Sequence, residues 1–90
     1  MTKAMAVDHS GDGIRINCLC PGMIETEMVA NLISGSANPE QTRQMMIDRR
    51  VTPYLGSAEE VARAALFLSA PENRYTTGAA LAVDGGATVK

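Results

Sequence analysis

Apolar positions divide the chain into two strand-like runs, with helical patterns before and between them. In IRINCLC, Ile14 to Cys20, the residues Ile14, Ile16, Cys18 and Cys20 fall on alternate positions, the period of a strand. Leu19 on the opposite face implies burial from both sides. AALAV, Ala79 to Val83, is an unbroken apolar run of strand length that stops at Asp84-Gly85-Gly86. The clearest helix opens at Ser57, where Glu60 three residues on completes a capping box that satisfies two backbone N–H groups. Val61, Ala64, Ala65 and Leu68 line one face of it, and Ala62, Leu66 and Phe67 extend the apolar surface to a second. Such a helix is expected to cover a sheet and meet something else.

Weaker patterns fill the rest. Thr2 to Asp8 has the residue types of a helix tail, and HSGDG, His9 to Gly13, ends it with two glycines. Glu25 to Ile33 suits a short helix starting near Thr26, and SGSANP, Ser34 to Pro39, has the composition of a flexible linker. Pro39 suits the first turn of a further helix through Glu40 to Arg50, with Met45, Met46 and Arg49 at neighbouring positions. VTPYLG, Val51 to Gly56, reads as extended chain because Pro53 disfavours helix at Thr52. APENRYTTG, Ala70 to Gly78, breaks the last helix. Two buried strands joined through helices predict a right-handed parallel crossover in one partial domain over residues 1–90, without repeats. Two strands cannot bury both faces and both edges of a sheet, so the unit is expected to belong to a larger one.

Ninety residues allow one marginal core, since a chain of this size buries only about 60–65% of its unfolded surface. With one Phe, two Tyr and no Trp, that core must be Ala, Val, Ile, Leu and Met. The net charge of −2, with acids and bases scattered, gives no basic stripe for a nucleic acid. No apolar run approaches the ~20 residues of a membrane span. MTKAMAVDHS lacks the apolar core of a signal peptide, so the expected location is cytoplasmic. Cys18 and Cys20, two apart in a strand, are expected as reduced, small core residues, because a disulfide closing so short a loop would be strained. His9 alone does not make a metal site; it is expected at an exposed helix end, where its charged form favours the C-terminal dipole.

The stretch that invites chemistry is CPGMIETEM, Cys20 to Met28. In open parallel sheets ligands bind beyond the carboxyl ends of strands, where Pro21 and Gly22 fall. Pro21 fixes the direction of exit, Gly22 lets backbone approach a ligand, and Thr26 could offer its hydroxyl beside the free N–H groups of a helix start. The same residues also make an ordinary turn and N-cap, while Glu25 and Glu27 would oppose an isolated phosphate.

Together, GIRINCLCPGMIETEM, GSAEEVARAALFLS and TTGAALAVDGG resemble the C-terminal third of a short-chain dehydrogenase/reductase, over about Thr2 to Gly86. The resemblance lies in Pro21-Gly22, the threonine four residues on, the Glu59-Glu60-Val61-Ala62 helix start and Asp84-Gly85-Gly86, in this order and spacing. It implies an α/β fold, the C-terminal portion of a Rossmann-type doubly wound parallel sheet with helices on both faces. It further implies NAD or NADP as cofactor and an alcohol or ketone as small-molecule substrate. Pro21, Gly22 and Ile24 would border the nicotinamide ring, with backbone near Ile24 meeting its carboxamide and Thr26 reaching the carboxamide or a phosphate. Residues 23–50 would hold the substrate lid, where Met23, Met28, Met45 and Met46 fit an adaptable apolar lining, although gap-filling serves as well. The 57–69 helix and 79–84 strand would form the contact of a homo-oligomer. Departures are Ala58, where the family often has proline, and Tyr54-Leu55 before Gly56, where an arginine is common.

That family donates its proton from a Tyr with a Lys four residues later, assisted by a Ser, and grips the pyrophosphate with a glycine-rich loop. None of these motifs lies in these residues. Tyr54 is followed four on by Ala58 and Tyr75 by Ala79, Lys3 is too close to the first strand, and Gly11-Asp12-Gly13 precedes that strand. By resemblance the catalytic lysine would precede Met1 by a few residues. The expectation is therefore a segment with no catalytic residue and no metal of its own, inactive when isolated. The alternatives are a non-catalytic interaction protein that docks onto full-length relatives through the Ser57 helix and Ala79 strand, or a gene remnant.

Overall fold

Helix starts are set by side chains that accept the first free N–H groups. In the computed structural model, which describes all 90 residues, Thr26, Asn38 and Ser57 each hold an extended backbone and accept from the N–H three residues on. The helices that follow are α2 (Glu27–Ser34), α3 (Pro39–Asp48) and α4 (Ala58–Ser69). The capping box at Ser57 and Glu60 is formed in both directions, and Pro39 takes the first position of α3. The first helix, α1 (Thr2–His9), runs on into a 3-10 turn at Ser10–Asp12.

Strands β1 (Cys18–Pro21) and β2 (Ala80–Val83) pair in parallel, in register from Cys18 against Ala80 to Pro21 against Val83. The β–helix–β crossover expected from the sequence is present, but β1 is shorter than the alternation of Ile14 to Cys20 predicted. Side chains take over part of the ladder there, beside the backbone bonds from Gly78 N to Ile16 O at 2.7 Å and Cys18 N to Ala79 O at 2.9 Å. Asn17 Oδ1 accepts from Ala79 N at 3.0 Å while its Nδ2 donates to Thr76 O at 3.1 Å, and Ile16 N donates to Thr77 Oγ1 at 3.1 Å. Arg15 donates to Leu68 O, Ala70 O and Thr76 O at 2.9–3.2 Å, closing the carboxyl end of α4 against the chain entering β2.

The segment Ser34–Pro39 is tied rather than flexible. Ser36 Oγ donates to Ile33 O at 2.6 Å and accepts from Thr42 Oγ1 at 3.0 Å, so α2 and α3 form a fastened hairpin. Composition cannot distinguish a Ser/Gly linker from a Ser/Gly turn whose hydroxyls find partners.

Helix α4 packs on both strands with Val61, Ala64, Ala65 and Leu68 half-buried. Leu66 and Phe67 on its other face are 71% and 54% exposed, matching the two-faced pattern. Only Ala6, Ile33, Leu55 and Arg50 are buried. The accessible surface of 6444 Å² exceeds the roughly 5,000 Å² of a compact protein of this mass, and the radius of gyration of 16.4 Å exceeds the ~12 Å of a closed domain of this length. The cysteines follow suit: both are free, but Cys18 is half-buried and Cys20 exposed, because nothing covers that face of the two-stranded sheet. Their expected place in a core is corrected accordingly. No helix is long and apolar enough to cross a membrane.

A chain that leaves this much surface open should not fold as an all-or-none unit. The purified 90-residue chain is expected to show helical far-UV circular dichroism that melts broadly. A sharp, concentration-independent thermal transition would contradict this.

Candidate functional site

Beyond β1 the chain leaves the sheet at Pro21, and Gly22 N donates to Val83 O at 3.0 Å, extending the pairing by one bond. A Cβ on Gly22 would fall 2.7 Å from both Cα and Cβ of Asp84. Glycine is therefore required by the chain's own approach to the turn after β2, a constraint distinct from the ligand approach expected of it. The next residues pair with the loop entering α4. Glu25 N donates to Gly56 O at 2.8 Å and Gly56 N to Met23 O at 3.3 Å, forming the Ile24–Gly56 bridge.

That bridge leaves Ile24 N–H without an acceptor, while Ile24 O accepts from Thr26 N at 2.9 Å. Thr26 Oγ1 accepts from Val29 N at 3.3 Å, so its hydroxyl hydrogen stays free to donate. The N–H groups of Glu27 and Met28 have no partner, as is normal in the first turn of a helix. Within five residues the turn thus presents three backbone donors and a hydroxyl.

The acids that seemed to oppose an anion here differ in their commitments. Glu25 takes a two-pronged contact from Arg43, with Nη2 to Oε2 at 2.9 Å and Nη1 on Oε1. The hydrogen bond from Arg43 is the main reason the Glu25 carboxyl titrates below its ordinary range. Because the folded value is depressed, the pair's stabilisation is present at neutral pH and is lost as pH falls through that value. Arg43 lies on α3, so this pair also fastens the helical hairpin to the turn. Glu27 remains exposed.

Of the methionines, Met23 sits beside Ile24 in a cavity and Met46 is half-buried, whereas Met28 and Met45 are 78% and 54% exposed. The four do not share one lining in this conformation. The cavity that Met23 enters has a volume of about 280 Å³ and is lined by Arg50, Tyr54, Glu60 and the Asp84–Gly86 turn among others. Gly85 and Gly86 hold φ of 63° and 85°, left-handed backbone that admits the sharp reversal. The reversal lets Gly85 O accept from Val51 N at 2.8 Å and Thr52 N at 3.0 Å. Asp84 accepts from Thr88 Oγ1 at 2.8 Å and Gly86 N at 3.0 Å, and these bonds, the Thr88 hydroxyl first, lower its pKa. Arg50 is 8% exposed. Sequence reasoning passed over it, since Arg49-Arg50 after a helix reads as solvated charge and no spacing rule marks one arginine for burial. The Glu25–Arg43 contact likewise carried no sequence signal.

Free N–H groups and a capping hydroxyl just past a parallel strand suit an amide or phosphate oxygen. The fold is Rossmann-type α/β, and this turn lies at the carboxyl end of its parallel strands. The family model described as enoyl-(acyl carrier protein) reductase matches residues 1–88, and the chain belongs to the short-chain dehydrogenase/reductase family. It is 36% identical over 86 residues to dehydrogenase/reductase SDR family member 6 of Rattus norvegicus, covering 96% of this chain and 35% of that protein. It is 42% identical over 89 residues to galactitol 2-dehydrogenase (L-tagatose-forming) of Cereibacter sphaeroides, covering 99% of this chain and 34% of that protein. Among solved structures it resembles 4-hydroxyisoleucine dehydrogenase complexed with NADH, with a TM-score of 0.86 at 27% identity, over 99% of this chain and 35% of that one. It also resembles ElxO with NADP bound, with a TM-score of 0.87 at 31% identity, over the same shares of the two chains. The chain spans about a third of the length of the curated relatives it matches.

Replacing Gly22 by alanine forces a methyl group against the Asp84 backbone. Overpacking of this kind costs about 1–3 kcal/mol. In the protein assembled with the rest of its sheet, Gly22→Ala is expected to lower the urea midpoint accordingly, and an unchanged midpoint would show that the two turns do not meet.

Proposed function

We propose that these residues are the carboxyl-terminal third of an NAD(P)-dependent oxidoreductase that interconverts an alcohol and a ketone. The observation that carries the reading is the turn after β1, where Ile24 N–H, the Thr26 hydroxyl and the first N–H groups of α2 stand unpaired at the end of a parallel strand. The bound nicotinamide supplies or accepts the hydride. Ile24 N–H donates to its carboxamide oxygen, and the Thr26 hydroxyl donates to the carboxamide or to a phosphate. Pro21 and Gly22 border the ring, where an apolar turn without a free side-chain donor keeps water from the transfer path. Residues 23–50 act as the substrate lid, with Met23, Met28, Met45 and Met46 meeting the carbon skeleton once the lid closes. The Glu25–Arg43 contact holds the lid's second helix to the cofactor turn.

Isolated, the chain does not catalyse. Hydride transfer needs the cofactor fixed at its pyrophosphate and an acid at the carbonyl oxygen, and neither group is present in these residues. The outer face of α4, with Leu66 and Phe67, and the 79–84 strand make the homo-oligomer contact. The same uncovered face favours a second reading, a non-catalytic chain that docks onto a full-length relative.

The purified 90-residue chain is expected to give no NAD(P)H-dependent turnover, and measurable turnover would overturn the inactivity. In the complete enzyme, Thr26→Val removes the cap on Val29 N together with the cofactor hydrogen bond, and the latter is worth about 0.5–1.5 kcal/mol. It should raise KM for NAD(P)H roughly 2- to 12-fold, while an unchanged KM would remove Thr26 from the cofactor site. Size-exclusion chromatography of the short chain mixed with a full-length relative tests the second reading, because unchanged elution of both species argues against docking.

A further inference from the structure

Arg50 is the one charged side chain that the fold buries, at 8% exposure. Its Nη1 donates to Met46 O in the last turn of α3, and its Nε is buried without a partner. No carboxylate of the chain reaches it, for the ion pairs are His9 with Asp12 and Arg43 with Glu25. A guanidinium withdrawn from water without a counter-charge is costly. Nη2 makes no hydrogen bond either and, unlike Nε, is not sealed from solvent, so it is the guanidinium nitrogen that a carboxylate in the cavity can reach.

The cavity beside it limits what can complete that pairing. Within these residues it has a volume of about 280 Å³. Glu60 and Asp84 also stand in its wall. Both are committed, Glu60 to Ser57 N and Oγ and Asp84 to Gly86 and Thr88, but their charges repel a phosphate dianion more than a single carboxylate. Met23, Ile24, Ala82 and Val83 supply an apolar wall for a short carbon chain, and Ile24 belongs to both the cavity and the proposed cofactor turn.

We propose that Arg50 binds the carboxylate of the substrate, which makes the substrate a short-chain hydroxy acid and the product the matching oxo acid. The inference rests on the oxidoreductase reading above. In the forward direction the carbinol C–H leaves as hydride to NAD(P)⁺, the hydroxyl proton is released, and the carboxylate on Arg50 is unchanged; the reverse reduction consumes NAD(P)H and a proton.

The test uses the complete enzyme. Its kcat/KM is measured for 2-, 3- and 4-hydroxy acids, each beside the neutral alcohol of the same carbon skeleton. At least one acid should exceed its neutral counterpart by about 10- to 100-fold, the range of a hydrogen-bonded charge. Arg50→Gln should collapse that ratio through KM for the acid, and Arg50→Lys should restore part of it. A wild-type enzyme indifferent to the carboxylate, or a ratio preserved in Arg50→Gln, overturns the proposal. Should Arg50→Gln not fold, propionate decides on the wild type: competitive inhibition against a neutral alcohol supports the site, and its absence overturns it. Calorimetric titration with propionate separates this inference from the reading beneath it. Arg50-dependent propionate binding in a protein that turns over no alcohol upholds the carboxylate site and refutes the oxidoreductase, whereas turnover without propionate binding does the reverse.

Discussion

Parallel pairing of β1 with β2 is the constraint from which the rest of the structure follows. Parallel strands cannot be joined by a hairpin, so the chain between them must leave the sheet at one end and return to the other through helices. Both strands therefore finish on the same side, which brings the turn at Gly22 against the turn at Asp84, 2.7 Å from a Cβ that glycine lacks. That contact is what places the Ile24–Thr26 donors, the cavity at Met23 and the buried Arg50 within one end of a very small fold. It also explains why a short strand pair suffices: side chains of Arg15 and Asn17 and the Ile24–Gly56 bridge extend the ordering on either side of it.

The same constraint leaves the unit open. A parallel sheet is stable when both faces are covered, yet α4 is the helix that packs on both strands here, and its outer face carries exposed Leu66 and Phe67. The exposed thiol of Cys20 and the large accessible surface are consequences of the same shortage of partners. Stability and function are thus linked: whatever covers β1 also completes the environment of the turn beside it.

Much of this was legible in the sequence because it is local. Ser57 with Glu60, Thr26 before an apolar turn and Pro39 at a helix start encode their structures within four residues, and the two faces of α4 follow from a 3.6-residue period. The parallel crossover was legible from the order of elements alone. What stayed hidden depends on partners distant in sequence. The alternation from Ile14 to Cys20 predicted a longer strand because nothing in it reveals that Asn17 and Thr77 side chains would replace ladder bonds. The serines and glycine after α2 looked like a flexible linker until Ser36 and Thr42 met. The need for glycine at position 22 comes from the close approach of the Asp84 turn, and the burial of Arg50 in place of Arg49 depends on a cavity wall that exists only once β2 has paired.

Hydrogen exchange along residues 21–28 of the complete protein, with and without NAD(P)H, tests the central claim most directly, because it reads the unpaired donors themselves. The account predicts that cofactor slows exchange at Ile24, and at Glu27 or Met28, while Glu25, already bonded to Gly56, changes little. Unchanged exchange at Ile24 under saturating cofactor would contradict it.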